Sequence, residues 1–100
     1  MQKRFSQSLL FAIRNRINIE ELIVSTLQLP SKSSEGYQRF LCPDCHEFRT
    51  ACNTKTNLAR CFLCARNFNT IDIVITVHKC SFVQAVQFLQ KHLPSSFRSV

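Results

Sequence analysis

The residues with the clearest chemistry in this sequence are two Cys-x-x-Cys pairs, Cys42 with Cys45 and Cys61 with Cys64, with fifteen residues between the pairs. A Cys-x-x-Cys turn directs two thiolates at one point, and two such turns at the ends of a short hairpin complete a tetrahedron around a metal ion. The pattern predicts one structural Zn²⁺ held by all four thiolates. Two disulfides or a redox dithiol are the alternatives that the residues leave open.

This site is expected to be structural, because four thiolates leave no open coordination position for a substrate or water. Glu47 is the nearest carboxylate in sequence, and one carboxylate beside a closed site is weak support for catalysis. The chain has six acidic residues, scattered along its length, and one glycine. Acidic residues scattered in this way do not form a carboxylate cluster that could hold Mg²⁺, and one glycine cannot build a glycine-rich phosphate-binding loop. We therefore expect no enzyme activity and no small-molecule substrate for this chain alone.

The two Cys-x-x-Cys turns, Cys42–Cys45 and Cys61–Cys64, are called the first and second knuckle from here on. The other metal-ligating side chains compete poorly with these four cysteines. His46 directly follows Cys45, which makes it difficult for both to join one tetrahedron. Cys52 and Cys80 are predicted to be small apolar core residues. The remaining histidines, His78 and His92, are predicted near helix ends, where a histidine is usually structural or solvated.

The charge of the chain indicates a polyanionic partner. Its 100 residues carry 13 Lys and Arg against 6 Asp and Glu, a formal charge of +7. Such a balance favours nucleic acid. No apolar run approaches the roughly 18–20 residues of a membrane span, and Arg14 and Arg16 interrupt the apolar residues near the N-terminus. We therefore expect a cytoplasmic protein with reduced thiols and no membrane partner.

The hydrophobic periodicity predicts about four helices around a short ribbon. An amphipathic helix over 2–16 carries Phe5, Leu9, Ile13 and Ile17 on one side. A second helix, over 19–28, begins at Asn18 in a capping box with Glu21 and is stopped by Pro30. Two more helices follow the ribbon, one over 70–78 capped by Asn69 and one after Ser81 that is closed by Pro94.

The segment between these helices predicts a zinc ribbon. A polar loop over 31–36 leads to three strands, at 37–41, 48–53 and 58–62, with Asn57 in a left-handed turn. The expected fold class is α+β, a ribbon of three to four short antiparallel strands flanked by about four helices. The predicted organisation is an N-terminal helix (1–16), a zinc-binding domain (17–93, with the ribbon at 37–64) and a flexible tail (94–100).

Basic residues alternate with aromatic rings along the ribbon. Proteins hold single strands in this way, with cations on the phosphates and rings under the bases. Tyr37 and Phe40 are expected to be exposed, whereas Phe62 is expected to pack beside the zinc or against a helix. The alternative is that the rings form core and the cations a solvated rim. The candidate nucleic-acid contacts are Lys32, Tyr37, Arg39, Phe40, Arg49, Lys55, Arg60 and Arg66.

Four motifs occur in an order that resembles the N-terminal zinc-binding domain of bacterial (DnaG-type) DNA primases, the CHC2-type zinc finger family. They are Cys42-Pro43-x-Cys45, Cys61-Phe62-x-Cys64, Asn69-Thr70-Ile71-Asp72 and Ser81-Phe82-x-x-Ala85. The resemblance spans about residues 17–93 and leaves the helix at 2–16 outside. It implies a module that binds single-stranded template DNA and acts with a separate catalytic polymerase domain.

The sequence departs from that family at three places, which indicates a divergent version such as a phage or mobile element would carry. Cys45 stands where the family has a histidine ligand, so the site is all cysteine. Arg66-Asn67-Phe68 replaces a Gly-Gly link, and Thr50-Ala51-Cys52 replaces Pro-Ser-Phe.

Two hypotheses about function follow. The first is a zinc ribbon that binds single-stranded DNA in replication or priming, as an accessory to a primase. The second is a protein-interaction module with a purely structural zinc, docking through its N-terminal helix on a helicase, a polymerase or a second copy. A continuous basic face across Lys32, Arg39, Arg49 and Arg60 would favour the first. A large exposed apolar patch along Phe5, Leu9 and Ile13 would favour the second.

Overall fold

The computed structural model describes residues 5–34 and 37–93. For Ser34 and Tyr37 it describes the backbone and not the side chain. The predicted tail over 94–100 lies outside the described residues. The fold is a five-stranded antiparallel sheet with a group of helices, so the predicted α+β class is confirmed. The strands lie side by side in chain order: β1 (Ser31–Ser34), β2 (Tyr37–Phe40), β3 (Thr50–Asn53), β4 (Leu58–Cys61) and β5 (Arg66–Phe68).

The first helix, α1 (Gln7–Arg16), begins after Ser6, whose hydroxyl accepts a hydrogen bond from the Leu9 N–H at 3.1 Å. The predicted start at residue 2 falls among residues that the structure does not describe. Ile13 is fully buried, and Phe5 and Leu9 pack against the same core. The apolar stripe of α1 therefore faces the domain, where the helix contacts the two C-terminal helices.

The predicted second helix is confirmed at its start and is shorter at its end. Asn18 caps α2 (Ile19–Glu21) by accepting from the Glu21 N–H at 2.9 Å, and the chain continues as a π-helix over Leu22–Thr26. Gln28 then adopts φ 53°, and the Leu29 N–H reaches back to the Ile23 carbonyl at 3.0 Å. This left-handed cap ends the helix before Pro30 can do so.

Two strands of the sheet were not predicted. Residues 31–34, expected to be loop, form β1 because they pair along β2, with Lys32 opposite Arg39. The second is β5, which pairs along β4 with Arg60 opposite Asn67. Both are short and largely polar, so neither shows the apolar alternation that identifies a half-buried strand in a sequence.

The two C-terminal helices begin where their capping residues predict. Asn69 and Asp72 form a reciprocal capping box at the start of α3 (Thr70–His78), and Ser81 and Gln84 form another at α4 (Phe82–Gln90). Each box satisfies two backbone N–H groups that the first turn of a helix leaves unpaired. Among the described residues, no helix has both the length and the apolar character that a membrane crossing requires.

One hydrophobic core joins the sheet to the helices. Phe40, Ala59 and Phe68 project from the inner face of the sheet and are at most 1% exposed. The helices contribute Ile13, Ile19, Leu22, Ile23, Ile73, Val74, Val86 and Leu89 to the same cluster. Because side chains alternate along a strand, the opposite face of the sheet is left for residues such as Arg39 and Arg60.

Candidate metal centre and the ribbon face

The four predicted zinc ligands converge at one point. The Sγ atoms of Cys42, Cys45, Cys61 and Cys64 all lie within 4.8 Å of one another. Cys42 Sγ is 3.9 Å from Cys64 Sγ, and Cys45 Sγ is 3.6 Å from Cys61 Sγ. A regular tetrahedron with Zn–S bonds of about 2.3 Å has S···S edges of about 3.8 Å. The geometry and the donor set therefore fit one Zn²⁺, which these four cysteines could hold.

Local backbone hydrogen bonds shape both knuckles for this purpose. Cys42 Sγ accepts from the N–H groups of Asp44 at 3.4 Å and Cys45 at 3.5 Å. In the second knuckle, Cys61 Sγ accepts from the Cys64 N–H at 3.4 Å. The residue after each second cysteine is left-handed, with φ 63° at His46 and 56° at Ala65. These two residues turn the chain out of each knuckle and leave the thiols pointing inward.

The thiols influence one another's protonation strongly. Burial raises the pKa of the Cys64 thiol to about 12, and the neighbouring thiols add to this effect. Burial also acts on Cys61, but hydrogen bonds from the Cys64 N–H and the neighbouring thiols outweigh it and lower the Cys61 pKa to about 7. Four sulfurs this close do not all ionise without a cation among them, so the cluster is suited to a divalent metal. All six cysteines are free thiols, which is contrary to a pair of disulfides.

The remaining cysteines and histidines lie apart from this cluster. Burial, followed by the charge of Glu20, raises the pKa of the half-buried Cys52 thiol to about 12. Cys80 is also half-buried, with its Sγ 3.9 Å from the Val74 carbonyl. His78 and His92 both pack on the ring of Phe88, with ring centroids 4.9 and 5.0 Å away. None of these side chains joins the group of four cysteines that could bind a metal.

The two knuckles are linked by an ion pair on the surface. The Arg66 guanidinium, just after the second knuckle, lies 2.9 Å from the carboxylate of Asp44 inside the first. The same guanidinium sits 4.6 Å from the centroid of the Phe68 ring. Arg66 was predicted to contact nucleic acid, but in this structure its charge already has a carboxylate partner.

Three of the predicted contact residues align across the outer face of the sheet. Lys32 is paired with Arg39, and Ala51 is paired with Arg60, which is paired in turn with Asn67. Phe40 lies opposite Thr50, so the antiparallel register places Arg39 opposite Ala51. One row of side chains, from here on the basic row, thus crosses all five strands: Lys32, Arg39, Ala51, Arg60 and Asn67. Asn67 accepts a hydrogen bond from the Arg60 guanidinium at 3.3 Å.

Two aromatic rings occupy places opposite to those predicted. Phe40 is only 1% exposed and belongs to the core, so it cannot stack on a nucleic-acid base. Phe62 is 58% exposed, and its ring centroid lies 5.5 Å from the Arg39 guanidinium carbon and 5.9 Å from that of Arg60. Alternation in the sequence separates the residues of the two sheet faces correctly. Which face is buried depends on where the helices pack, and that is decided by contacts between residues far apart in the sequence.

The other predicted contacts lie around the basic row. Arg49 is exposed just before β3, and its carbonyl accepts from the Phe62 N–H at 3.0 Å. Lys55 is exposed in the β3–β4 turn, at the end of the ribbon away from the cysteines. The side chain of Tyr37 lies outside the described part of the chain. Phe48 was not among the predicted contacts, and its ring lies 4.7 Å from Lys32 Nζ.

Comparison with known proteins agrees with this geometry. The model of the CHC2 zinc finger family, a DnaG-type zinc ribbon, matches residues 5–99. The match includes α1, which the motif pattern alone had left outside. A search of curated proteins found no match.

Proposed function

The chain belongs to the CHC2 zinc finger family, and from this we propose that it is a DNA-binding module that holds single-stranded DNA on the outer face of its ribbon. The observation that carries the proposal is the basic row, with three cations, Lys32, Arg39 and Arg60, in register across the sheet. Cationic grooves with adjacent rings bind single strands without requiring a particular sequence.

The charges on this face support a nucleic-acid partner over a protein partner. Lys32 and Arg39 lie opposite each other, and Arg39 and Arg60 share the ring of Phe62. Positive charge concentrated on one face attracts a polyanion such as a phosphate backbone. The apolar stripe on which the protein-docking alternative depends packs on the core, because Ile13 is fully buried and Phe5 and Leu9 are partly buried against the same cluster.

The zinc would order the knuckles and would take no part in chemistry. With four thiolates on the metal, no coordination position remains for a substrate. We therefore propose an accessory role in replication or priming, in which a separate catalytic domain makes the phosphodiester bonds and this chain holds the template.

The test is a titration of labelled single-stranded and double-stranded DNA over a salt series. If three to four phosphates are neutralised, log K for the single strand should fall against log salt with a slope of about −2 to −3. Arg39→Ala and Arg60→Ala should each weaken binding and make the slope less negative by about 0.7. A salt-independent affinity, or no binding to the single strand at low salt, would overturn the proposal.

Lys91→Ala is the matched control for these variants. Lys91 is exposed at the end of α4, which packs on α1 and α3. The Lys91→Ala substitution removes one positive charge from the protein, as the arginine variants do, but leaves the charge of the ribbon unchanged. Its affinity and salt slope should equal those of the wild type.

A further inference from the structure

Phe62 is an exposed aromatic ring on a hydrogen-bonded turn. It lies in the second knuckle, its backbone N–H is hydrogen-bonded to Arg49, and it remains 58% exposed although two guanidiniums approach it. The next residue, Leu63, is 60% exposed. Two adjacent large apolar side chains that contribute nothing to the core indicate a binding surface.

We propose that Phe62 is the stacking platform for one unpaired nucleobase, an inference that rests on the proposed function. The guanidiniums of Arg39 and Arg60 lie over the ring, 5.5 and 5.9 Å from its centroid, yet the side chain stays 58% exposed and so keeps apolar surface for a base. The same two cations are placed for the phosphates of the strand that carries this base. A metal held by Cys61 and Cys64 would fix the backbone of Phe62 between them, so little conformational freedom would be lost on binding. Leu63 extends the apolar surface beyond the edge of the ring.

The experiment uses the zinc-loaded full chain and a short oligothymidylate with one central 2-aminopurine, whose fluorescence reports stacking. Saturating wild-type protein should quench the probe. Phe62→Leu keeps an apolar side chain but removes the stacking surface, so it should weaken binding about five- to hundredfold. At saturation it should also leave the probe unquenched, while the salt slope stays at the wild-type value because no cation is lost.

Phe11→Leu is the control, because Phe11 is a comparably exposed ring, at 55%, on α1. If Phe62→Leu binds and quenches as the wild type does, Phe62 is not a stacking platform, whereas the proposal that the basic row binds single-stranded DNA is unaffected. If the wild type does not bind the oligonucleotide at low salt, the stacking platform and the proposed function both fail.

A second inference comes from a separate observation in the core. Among the described residues, Thr50 Oγ1 is the buried side-chain N or O atom without a hydrogen-bond partner, and Thr50 is 1% exposed. A buried hydroxyl without a partner is unfavourable, so its position needs a reason.

The register places Thr50 beside a residue of the metal cluster. Thr50 lies directly opposite Cys61. The Phe62 N–H donates to the Arg49 carbonyl at 3.0 Å, which identifies Arg49 and Phe62 as a hydrogen-bonded pair. In an antiparallel ladder the neighbouring pair, Thr50 with Cys61, is then the non-hydrogen-bonded type, in which the side chains come closest.

We infer that Thr50 is a positioning residue for the metal site, donating its hydroxyl hydrogen to the Cys61 sulfur once that sulfur is a metal-bound thiolate. A thiol is a weak acceptor, whereas an ionised sulfur is a stronger one. The donation would add to the one that Cys61 receives from the Cys64 N–H. Hydrogen bonds that orient metal ligands typically affect metal affinity by ten- to a hundredfold.

The test compares Thr50→Val, which replaces the hydroxyl with a methyl group, with Thr50→Ser, which keeps the hydroxyl and loses a methyl. Zinc affinity is measured by competition with a chromophoric chelator, and Co²⁺ loading gives the energy of the thiolate charge-transfer band. Thr50→Val should lose about tenfold or more in zinc affinity and shift the band, and Thr50→Ser should match the wild type. If Thr50→Ser binds zinc more weakly than Thr50→Val does, Thr50 acts only through packing and the inference is wrong.

Discussion

The side chain of Asn57 accepts a hydrogen bond from the backbone N–H of Ile19 at 2.9 Å, across 38 residues of sequence. Its amide nitrogen donates to the carbonyls of Arg14 and Ile17, each at 2.7 Å. A single side chain in the β3–β4 turn therefore satisfies backbone groups at the end of α1 and the start of α2. It joins the ribbon to the helices at the end opposite the cysteines.

Removing this link should destabilise the fold. Asn57→Ala leaves three backbone groups without their partner and places alanine at φ 56°. We expect a loss of about 2–4 kcal/mol in the free energy of unfolding of the zinc-loaded protein. Asn57→Gly loses the same hydrogen bonds but accepts the left-handed backbone, so it should be about 1 kcal/mol less harmful. Urea denaturation measures both, and equal stability of Asn57→Ala and wild type would contradict this role.

The metal site should be stoichiometric and specific to the four knuckle cysteines. We expect one zinc per chain by metal analysis, and Cys61→Ser should reduce both the zinc content after dialysis and the unfolding temperature, because metal binding contributes to folding. Cys80→Ser removes a free thiol outside the cluster and should keep full zinc content. A wild-type chain that is folded and metal-free after purification with zinc present would contradict the structural role.

Cys52 should react slowly with alkylating reagents, because its pKa is raised to about 12. Only the thiolate is nucleophilic, so at pH 8 its reactive fraction is about a thousandth of that of a thiol with an ordinary pKa near 9. Iodoacetamide labelling of Cys52, followed by mass spectrometry, should accelerate about tenfold per pH unit from pH 8 to 10 without a plateau. The same peptide labelled in denaturant is the control, and its labelling rate should level off above pH 9.

Glu20 contributes to that shift, so Glu20→Gln should raise the labelling rate of Cys52 modestly. Removing the carboxylate lowers the pKa of Cys52, since a nearby negative charge opposes a thiolate. Burial remains the larger cause, so the variant should stay much slower than the denatured control. A rate unaffected by Glu20→Gln would show that burial alone sets the reactivity of Cys52.

The sequence predicts the parts of this fold that depend on neighbouring residues. The cysteine spacing predicts the metal cluster, and the capping residues Asn69 and Ser81 predict the starts of α3 and α4 to the residue. Asn57 was predicted in a left-handed turn because asparagine tolerates that conformation, and its φ is 56°. The three hydrogen bonds that Asn57 makes to the helices depend on distant partners and left no local signal.

The errors concern features that are decided by contacts between distant segments. Strands β1 and β5 exist because β2 and β4 offer pairing edges, which short polar sequences do not reveal. Phe40 and Phe62 were assigned to the wrong sides because alternation does not indicate which face the helices cover. The π-helix over Leu22–Thr26 likewise has no residue pattern that separates it from an α-helix.

The ion pair between Asp44 and Arg66 should contribute little to stability, although it links the two knuckles at 2.9 Å. Both side chains are about half exposed, at 50% and 47%, so water and salt screen the charges. A double-mutant cycle with Asp44→Asn and Arg66→Gln should give a coupling energy below about 1 kcal/mol, decreasing further at high salt. Zinc content should be unchanged in both variants, because the backbone N–H of Asp44 that reaches Cys42 Sγ is retained. A coupling above about 2 kcal/mol would mean that the pair fixes the knuckles relative to each other, and then Arg66→Gln should also weaken zinc binding.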